Sequence, residues 1–245
     1  MSTVLRASNL LLIVTASLTL LTLWMVFFWV PTEANQGNVQ RILYIHVPVA
    51  WASMLAIIVV AFASFAYLRT KNELWDRVAV ATAETGVVFG ALMLLTGMIW
   101  ARPVWGVWWT GEAKLTTALV LFFIYIAYLM FRAYFPPGQQ RQRLAAIIGL
   151  IGAIDTPIVY YAAELWSQAH PPAVVGPAAD SDSAFSSDFG MTLLVATLAF
   201  TFLFIYIAKE RFAVRESEDA LIEMQRKAGG IARRTVVPQG GSGAA

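Results

Sequence analysis

The sequence has no cysteine and little charge, and each shortage excludes a class of function. Of its 245 residues, two are histidines and only 13% are charged. Without cysteine the chain cannot form disulfides, thiolate metal sites, a cysteine nucleophile or the C-x-x-C-H attachment of c-type haem. Soluble domains carry about a quarter charged residues, roughly twice this share. With 59% hydrophobic residues and a net charge of only +2, the composition favours lipid as the solvent and gives no indication of nucleic-acid binding.

Six stretches of the chain are apolar over about 20 residues, the length that a helix needs to cross a bilayer. The first is longer than the apolar core of a signal peptide, about 7–15 residues, and no clear small-residue cleavage site follows it. We therefore interpret it as a membrane anchor. The sequence predicts an all-α integral membrane protein with six transmembrane helices. The predicted spans are Ser8–Val30, Val47–Leu68, Ala79–Trp100, Thr116–Phe135, Leu144–Leu165 and Phe189–Ala208.

Lysine and arginine residues collect in alternate connections between these spans. With the N-terminus inside, only three of the 17 lie in outer connections, namely Arg41, Arg102 and Lys114. Positive residues favour the cytoplasmic side of a membrane, so both termini are expected in the cytoplasm. We expect residues 1–208 to form the membrane domain and 209–245 a cytoplasmic tail. The tail should first continue the sixth helix and then, over 229–245, become disordered.

Both histidines and the densest group of tryptophans fall on the predicted outer face. His46 lies at the outer end of the second span and His170 in the third outer loop, each near proline and aromatic residues. A lone tryptophan is typical of an interfacial belt at headgroup depth, but three within five positions favour a binding surface. These three, all in the second outer loop of about 101–115, are Trp105, Trp108 and Trp109.

Haem would fit this combination of residues. Its iron takes axial imidazoles, its flat macrocycle needs apolar or aromatic walls, and its propionates need cations. The three outer cations lie close in sequence to His46 and the tryptophans, although pairing with lipid headgroup phosphates explains them equally well. In the absence of cysteine, the haem would be non-covalent haem b.

The stretch "WGVWWTGEAKLTT", residues 105–117, resembles the tryptophan-rich signature of the haem-handling proteins of cytochrome c maturation. The chain as a whole is similar to the haem exporter protein C family, CcmC. The flanking segments "QGNVQRILYIHVPVAW" and "GLIGAIDTPIVYYAAELWSQAHPP" resemble the family's segments around its two outer histidines. The family pattern runs approximately W-G-x-W-W-x-W-D-x-R-L-T. Its matching positions are Trp105, Gly106, Trp108, Trp109, Leu115 and Thr116.

Three positions depart from the family pattern. Gly111 replaces the third clustered tryptophan, Glu112 replaces an aspartate and Lys114 replaces an arginine. The two charged residues keep their sign, but lysine cannot form the bidentate fork of arginine. Because Gly111 also removes one stacking wall, haem affinity or partner fit is expected to differ from that of typical members.

The resemblance implies the cofactor, the partners and the roles of the matching residues. Such proteins form a bacterial inner-membrane assembly with the ABC transporter subunits CcmA and CcmB and the small protein CcmD. They present haem on the periplasmic side to the chaperone CcmE. By position, His46 and His170 would be axial haem ligands, and Arg41, Arg102 and Lys114 would be candidate propionate contacts. The platform for haem and chaperone would be Trp105, Gly106, Trp108, Trp109, Glu112, Leu115 and Thr116.

Two other functions stay open from the residues. One is an electron-transfer subunit with b-type haem, which would commonly take its ligands from histidines buried within helices. The other is a transporter permease without a cofactor, in which Asp155 of the fifth span would serve as the midplane polar group. No Walker A or G-x-S-x-G motif is present, and histidine is too scarce for a zinc enzyme. We therefore expect a haem-handling subunit rather than an enzyme, with ATP hydrolysis in a partner.

Overall fold

The computed structural model describes residues 2–166 and 187–235, which fold into six long helices. All six are long and apolar enough to cross a membrane. The prediction of an all-α, multi-pass membrane protein with six spanning helices is therefore confirmed. In chain order the helices are α1 (Ser2–Trp24), α2 (Leu43–Thr70), α3 (Glu73–Trp105), α4 (Ala113–Tyr134), α5 (Gln139–Trp166) and α6 (Ser187–Thr235).

Local backbone chemistry, rather than apolarity, sets where several helices begin and end. A π-helical turn, Met25–Trp29, follows α1, and a 3-10 turn, Asn38–Ile42, leads into α2. At the start of α3 the Asn72 side chain accepts a hydrogen bond from the backbone N–H of Leu74 at 2.9 Å, an N-cap. The same helix ends where Gly106 takes a left-handed φ of 78°, a conformation that glycine adopts without strain.

The sixth helix is much longer than a membrane span. Its 49 residues correspond to about 74 Å at about 1.5 Å per residue, against a hydrocarbon core of about 30 Å. On this extension Glu223 and Lys227, one helical turn apart, form an ion pair at 3.5 Å. The helix includes residues 229–235, for which the sequence suggested disorder. Extending an existing helix needs no new nucleation step. Residues 236–245 lie outside the described part.

The second helix is the centre of the bundle and packs against α3, α5 and α6. Small residues allow these close contacts: a Cβ atom added to Gly86 of α3 would lie 2.7 Å from Cβ of Ala56 on α2. A Cβ atom on Gly149 of α5 would lie equally close, 2.7 Å, to the Ser64 hydroxyl. Lipid offers no hydrophobic drive for helix association, so such small contacts supply the packing energy.

The bundle has two chemically different ends. The Lys209 ammonium donates to the Ser8 hydroxyl at 2.7 Å, and Arg77 pairs with Asp219 at 2.9 Å. These contacts place the start of α1, the α2–α3 turn and the extension of α6 at one end, named here the basic end. The opposite end, which carries the α3–α4 loop, is named the tryptophan end.

Candidate functional site

His46 lies in the first turns of α2 at the tryptophan end, facing α3. Its Nδ1 atom is 3.0 Å from Oγ1 of Thr96. A Cβ atom on the neighbouring Gly97 would lie 3.0 Å from Cε1 of the imidazole, closer than ordinary van der Waals contact. Glycine at position 97 therefore provides the room in which the imidazole ring lies against α3.

Trp100 packs edge-on against the same imidazole. The two ring centroids are 5.8 Å apart and the planes are inclined by 70°, a favourable aromatic geometry. The indole Nε1 donates to Oε1 of Gln36 at 3.0 Å, so the loop before α2 fixes the tryptophan. His46 is thus held from one side by Thr96 and from another by Trp100.

The connection that carries Gln36 is itself ordered by a carboxylate. The Glu33 side chain accepts hydrogen bonds from the backbone N–H groups of Gln36 and Asn35, the latter at 2.8 Å. These donors, Gln36 first, hold the pKa of the Glu33 carboxyl below its usual value of 4.5. The charged carboxylate therefore stabilises the turn that positions Gln36 beside Trp100.

An apolar cavity of about 690 Å³ lies between α2, α3, α4 and α5 and is lined in part by His46. Binding sites for small molecules and cofactors usually occupy about 300–1,000 Å³ and are mostly apolar, so this volume suits a flat macrocycle. Five of the residues singled out in the sequence line the cavity. They are His46, Trp105, Trp109, Lys114 and Leu115.

Lys114 is the one predicted propionate contact on this cavity wall. It stands in the first turn of α4, partly buried, and interacts electrostatically with Glu164 of α5 and Glu112 at the start of α4. A positive charge at the edge of an apolar cavity suits an anionic group on the ligand. Where the family pattern has arginine, Lys114 therefore keeps the positive charge but cannot form a bidentate contact.

Several other predicted residues hold the loop together instead of lining the cavity. The Arg102 guanidinium donates to the carbonyl of Gly106, the residue that ends α3. Glu112 is the N-cap residue of α4, and its carbonyl accepts from the backbone N–H of Thr116 at 3.0 Å. The Thr116 hydroxyl donates to the carbonyl of Gly111 at 3.2 Å. These contacts shape the turn between the helices.

Two further predicted residues lie away from the cavity wall. The guanidinium of Arg41 stands 5.8 Å from the ring centroid of Phe27 in a cation–π contact. Trp108 is 57% exposed, whereas its neighbour Trp109 lines the cavity. His170 lies outside the described residues, so the structure does not place the second predicted axial ligand.

Sequence reasoning missed three side chains that line or support this cavity. Trp100, Gln36 and Trp51 all line it. A lone tryptophan such as Trp51 is typical of an interfacial belt, but here its indole N–H donates to the Thr201 hydroxyl at 3.1 Å. One signal was available. Small residues recur at helical spacing along the third span, on the face that meets α2 and the cavity; they are Gly86, Gly90, Gly97 and Ala101.

Asp155 is partly buried in α5 and does not line the cavity. Its Oδ2 atom is buried without a hydrogen-bond partner among the described residues. Pro157, two residues further on, does line the cavity. The carboxyl therefore lies outside the cavity wall, which is mostly apolar and aromatic.

Comparisons with known proteins agree on one family. A family model described as Heme exporter protein C matches residues 1–225. The chain is 39% identical over 176 residues to Heme exporter protein C of Bradyrhizobium diazoefficiens, covering 71% of this chain and 66% of that protein, slightly under two thirds. It is 36% identical over 190 residues to Heme exporter protein C of Escherichia coli K12, covering 75% and 77%. A putative cytochrome c biosynthesis ccmC-like mitochondrial protein of Arabidopsis thaliana is 34% identical over 182 residues, covering 74% and 66%.

Proposed function

Because the chain belongs to the haem exporter protein C family, we propose that it holds haem at the tryptophan end and passes it to a haem chaperone. Membership of the family implies a role in haem export for cytochrome c maturation. In this proposal haem is cargo, bound for a limited time, and the protein is a transfer subunit and not an enzyme. The site must therefore orient haem and still allow it to dissociate.

One observation carries the proposal: His46 lies on the wall of an apolar cavity that several indoles also line. A neutral imidazole nitrogen is a good ligand for iron, and the cavity has the volume of a cofactor site. Trp105 and Trp109 on the same wall offer aromatic faces to a macrocycle. The chemistry of these side chains fits haem b held without a covalent bond, since the chain has no cysteine.

Different residues of the site would contact different parts of haem. His46 would ligate the iron and His170 would supply the second axial imidazole. Trp105, Trp109 and Leu115 would contact the macrocycle, and Lys114 would pair with a propionate. Trp108, exposed beside them, would meet the chaperone.

The two ends of the bundle support the proposed orientation, and membership of the family supports the proposed partners. The basic end gathers most lysine and arginine residues, which favours the cytoplasmic side. The tryptophan end would then face the periplasm from the bacterial inner membrane. In this arrangement the protein would work in a complex with the ABC transporter subunits CcmA and CcmB and with CcmD, ATP hydrolysis would take place in a partner, and CcmE would receive haem in the periplasm.

Neither alternative function gains support from this site. A permease without a cofactor needs a polar route, but the carboxyl of Asp155 does not line the cavity. An electron-transfer subunit with two haems commonly needs four histidines, and the chain has two. The positions of His46 and the indoles instead suit a haem that enters and leaves.

The visible spectrum of the purified protein tests the proposal. We expect a six-coordinate haem with two imidazole ligands, and loss of that spectrum in His46→Gly and in His170→Gly. Free imidazole should restore it in both variants, because a small ligand can replace the missing ring; this control separates lost ligation from misfolding. Equal haem content in wild type and both variants would contradict the axial assignment.

A further inference from the structure

The contact between His46 and Thr96 determines which nitrogen of the imidazole carries the proton. Nδ1 of His46 and Oγ1 of Thr96 are 3.0 Å apart, so one of them donates to the other. A neutral imidazole has one protonated nitrogen and one acceptor nitrogen, and a hydroxyl has a single proton to give. The direction of this hydrogen bond therefore depends on where the Thr96 proton points.

The Thr96 hydroxyl donates its proton to a backbone carbonyl of its own helix. Its Oγ1 atom lies 2.7 Å from the carbonyl oxygen of Leu92 and 3.2 Å from that of Met93. Carbonyl oxygens only accept hydrogen bonds. If the hydroxyl donated to His46 instead, two oxygen lone pairs would face each other at 2.7 Å without a proton between them. The hydroxyl consequently donates to Leu92 and accepts from the imidazole.

We propose that Thr96 is a positioning residue that fixes His46 as the Nδ1–H tautomer, with Nε2 as the nitrogen that ligates haem iron. This inference rests on the proposed function. Ligating histidines usually donate their other N–H to a fixed acceptor, which sets the tautomer and the ring orientation. Here the acceptor is a hydroxyl already hydrogen-bonded to the Leu92 carbonyl, so the chain of donors runs from the imidazole to the α3 backbone.

The same hydrogen bond tunes the ligand electronically. An imidazole that donates through Nδ1 becomes more basic at Nε2 and stabilises the ferric state of the iron. Trp100, edge-on to the ring at 5.8 Å, restrains its rotation but offers no acceptor to Nδ1. Removal of the Thr96 hydroxyl should therefore weaken the ligand as well as loosen its orientation.

The tautomer can be measured without haem. Two-bond ¹H–¹⁵N correlations of the haem-free full chain, labelled with ¹⁵N-histidine in detergent, distinguish Nδ1–H from Nε2–H imidazole. With only two histidines, the His46 signals are assigned by their loss in His46→Gln. We expect Nδ1–H in wild type and in Thr96→Ser, and a mixture of tautomers in Thr96→Val. An Nε2–H ring in wild type would overturn the inference and leave the proposed haem site intact.

Haem binding supplies the second readout. We expect Thr96→Val to bind added haem about 10- to 100-fold more weakly and to raise the reduction potential of the bound haem, with Thr96→Ser restoring both. Thr85→Val is the matched control, because the Thr85 hydroxyl is buried on the same helix and donates to the Ala81 carbonyl at 3.0 Å, away from the site. It should change neither quantity. Should Thr96→Val not fold, Thr96→Ala removes the same acceptor and leaves more space.

The outcomes separate the two ideas. If His46→Gln binds haem as wild type does, the proposed axial ligand is wrong. If His46→Gln loses haem but Thr96→Val keeps the wild-type affinity and potential, only the role of Thr96 is overturned. If Thr96→Ser fails to restore either quantity, the hydroxyl is not the group responsible, and the inference is again overturned.

Discussion

Asp76 and Arg132 form a two-pronged ion pair at the basic end, opposite His46. The guanidinium nitrogens lie 2.6 and 2.7 Å from the two carboxylate oxygens, and each side chain is only 9% exposed. The ring of Tyr128 lies 5.8 Å from the same guanidinium. The pair joins the start of α3 to the end of α4, the two helices whose other ends carry the tryptophan loop.

Removing one partner of this pair should be costly. We expect Asp76→Ala to lower the free energy of unfolding by about 3–5 kcal/mol, since it leaves the Arg132 charge buried without its carboxylate. The control is Glu223→Ala, which removes an exposed pair with Lys227 at 3.5 Å and should cost less than about 1 kcal/mol. Denaturant unfolding in detergent measures both, and equal losses would contradict the assignment.

The six spans could be predicted because each is a long, strongly apolar run, but the ends of the helices could not. The third span continues past Trp100 to Trp105 because the left-handed Gly106 ends it. Likewise His46 and Trp109 are recognisable as residue types, whereas the contact of Thr96 with His46 depends on the register of α2 against α3. The spacing of small residues along the third span indicates which face meets α2, but an apolar run does not fix which residue of α3 lies opposite His46.

The absence of cysteine makes the orientation directly testable. A single cysteine introduced at Thr110, exposed in the α3–α4 loop, should react with an impermeant maleimide in intact spheroplasts. One at Gln140, exposed in the first turn of α5, should react only after the membrane is permeabilised. The expectation rests on the basic end facing the cytoplasm. Labelling with the opposite pattern would reverse the topology and place the haem site inside.

Adding one methyl group beside His46 should disturb the ring without removing any ligand. We expect Gly97→Ala to weaken haem binding by about tenfold, because its Cβ would lie 3.0 Å from Cε1 and overpacking costs about 1–3 kcal/mol. In Gly190→Ala of α6 the new Cβ meets nothing within 4 Å, so haem binding and stability should be unchanged or slightly improved. Unaltered binding in Gly97→Ala would show that the ring is not confined there.

The turn before α2 should respond to acid through Glu33. Its lowered folded pKa means that its contribution to stability is present above the unfolded value of about 4.5 and is lost as the pH falls through the folded value. The amide proton of Gln36, which donates to this carboxylate, should therefore shift with a midpoint below 4.5. Glu33→Gln should abolish the shift, and a midpoint above 4.5 would show that the carboxylate is not stabilised there.

The adjacent tryptophans 108 and 109 should separate haem binding from haem transfer. Trp109 lines the cavity, so Trp109→Ala should weaken haem binding; one aromatic contact is worth about 0.5–1.5 kcal/mol beyond area burial, or about two- to tenfold in affinity. Trp108 is 57% exposed, so Trp108→Ala should retain haem but slow its transfer to the chaperone.

Haem content and chaperone-bound haem, measured in the same membranes, distinguish these two effects. A tightly enclosing site would hold haem too well to release it, since each 1.4 kcal/mol of extra affinity, about tenfold, would slow dissociation by a similar factor. Trp109 on the cavity wall can orient the haem macrocycle, while Trp108 at the surface remains accessible to a partner protein. If Trp108→Ala transfers haem at the wild-type rate, the exposed indole serves only as an interfacial anchor, and the chaperone must approach through other residues of the loop.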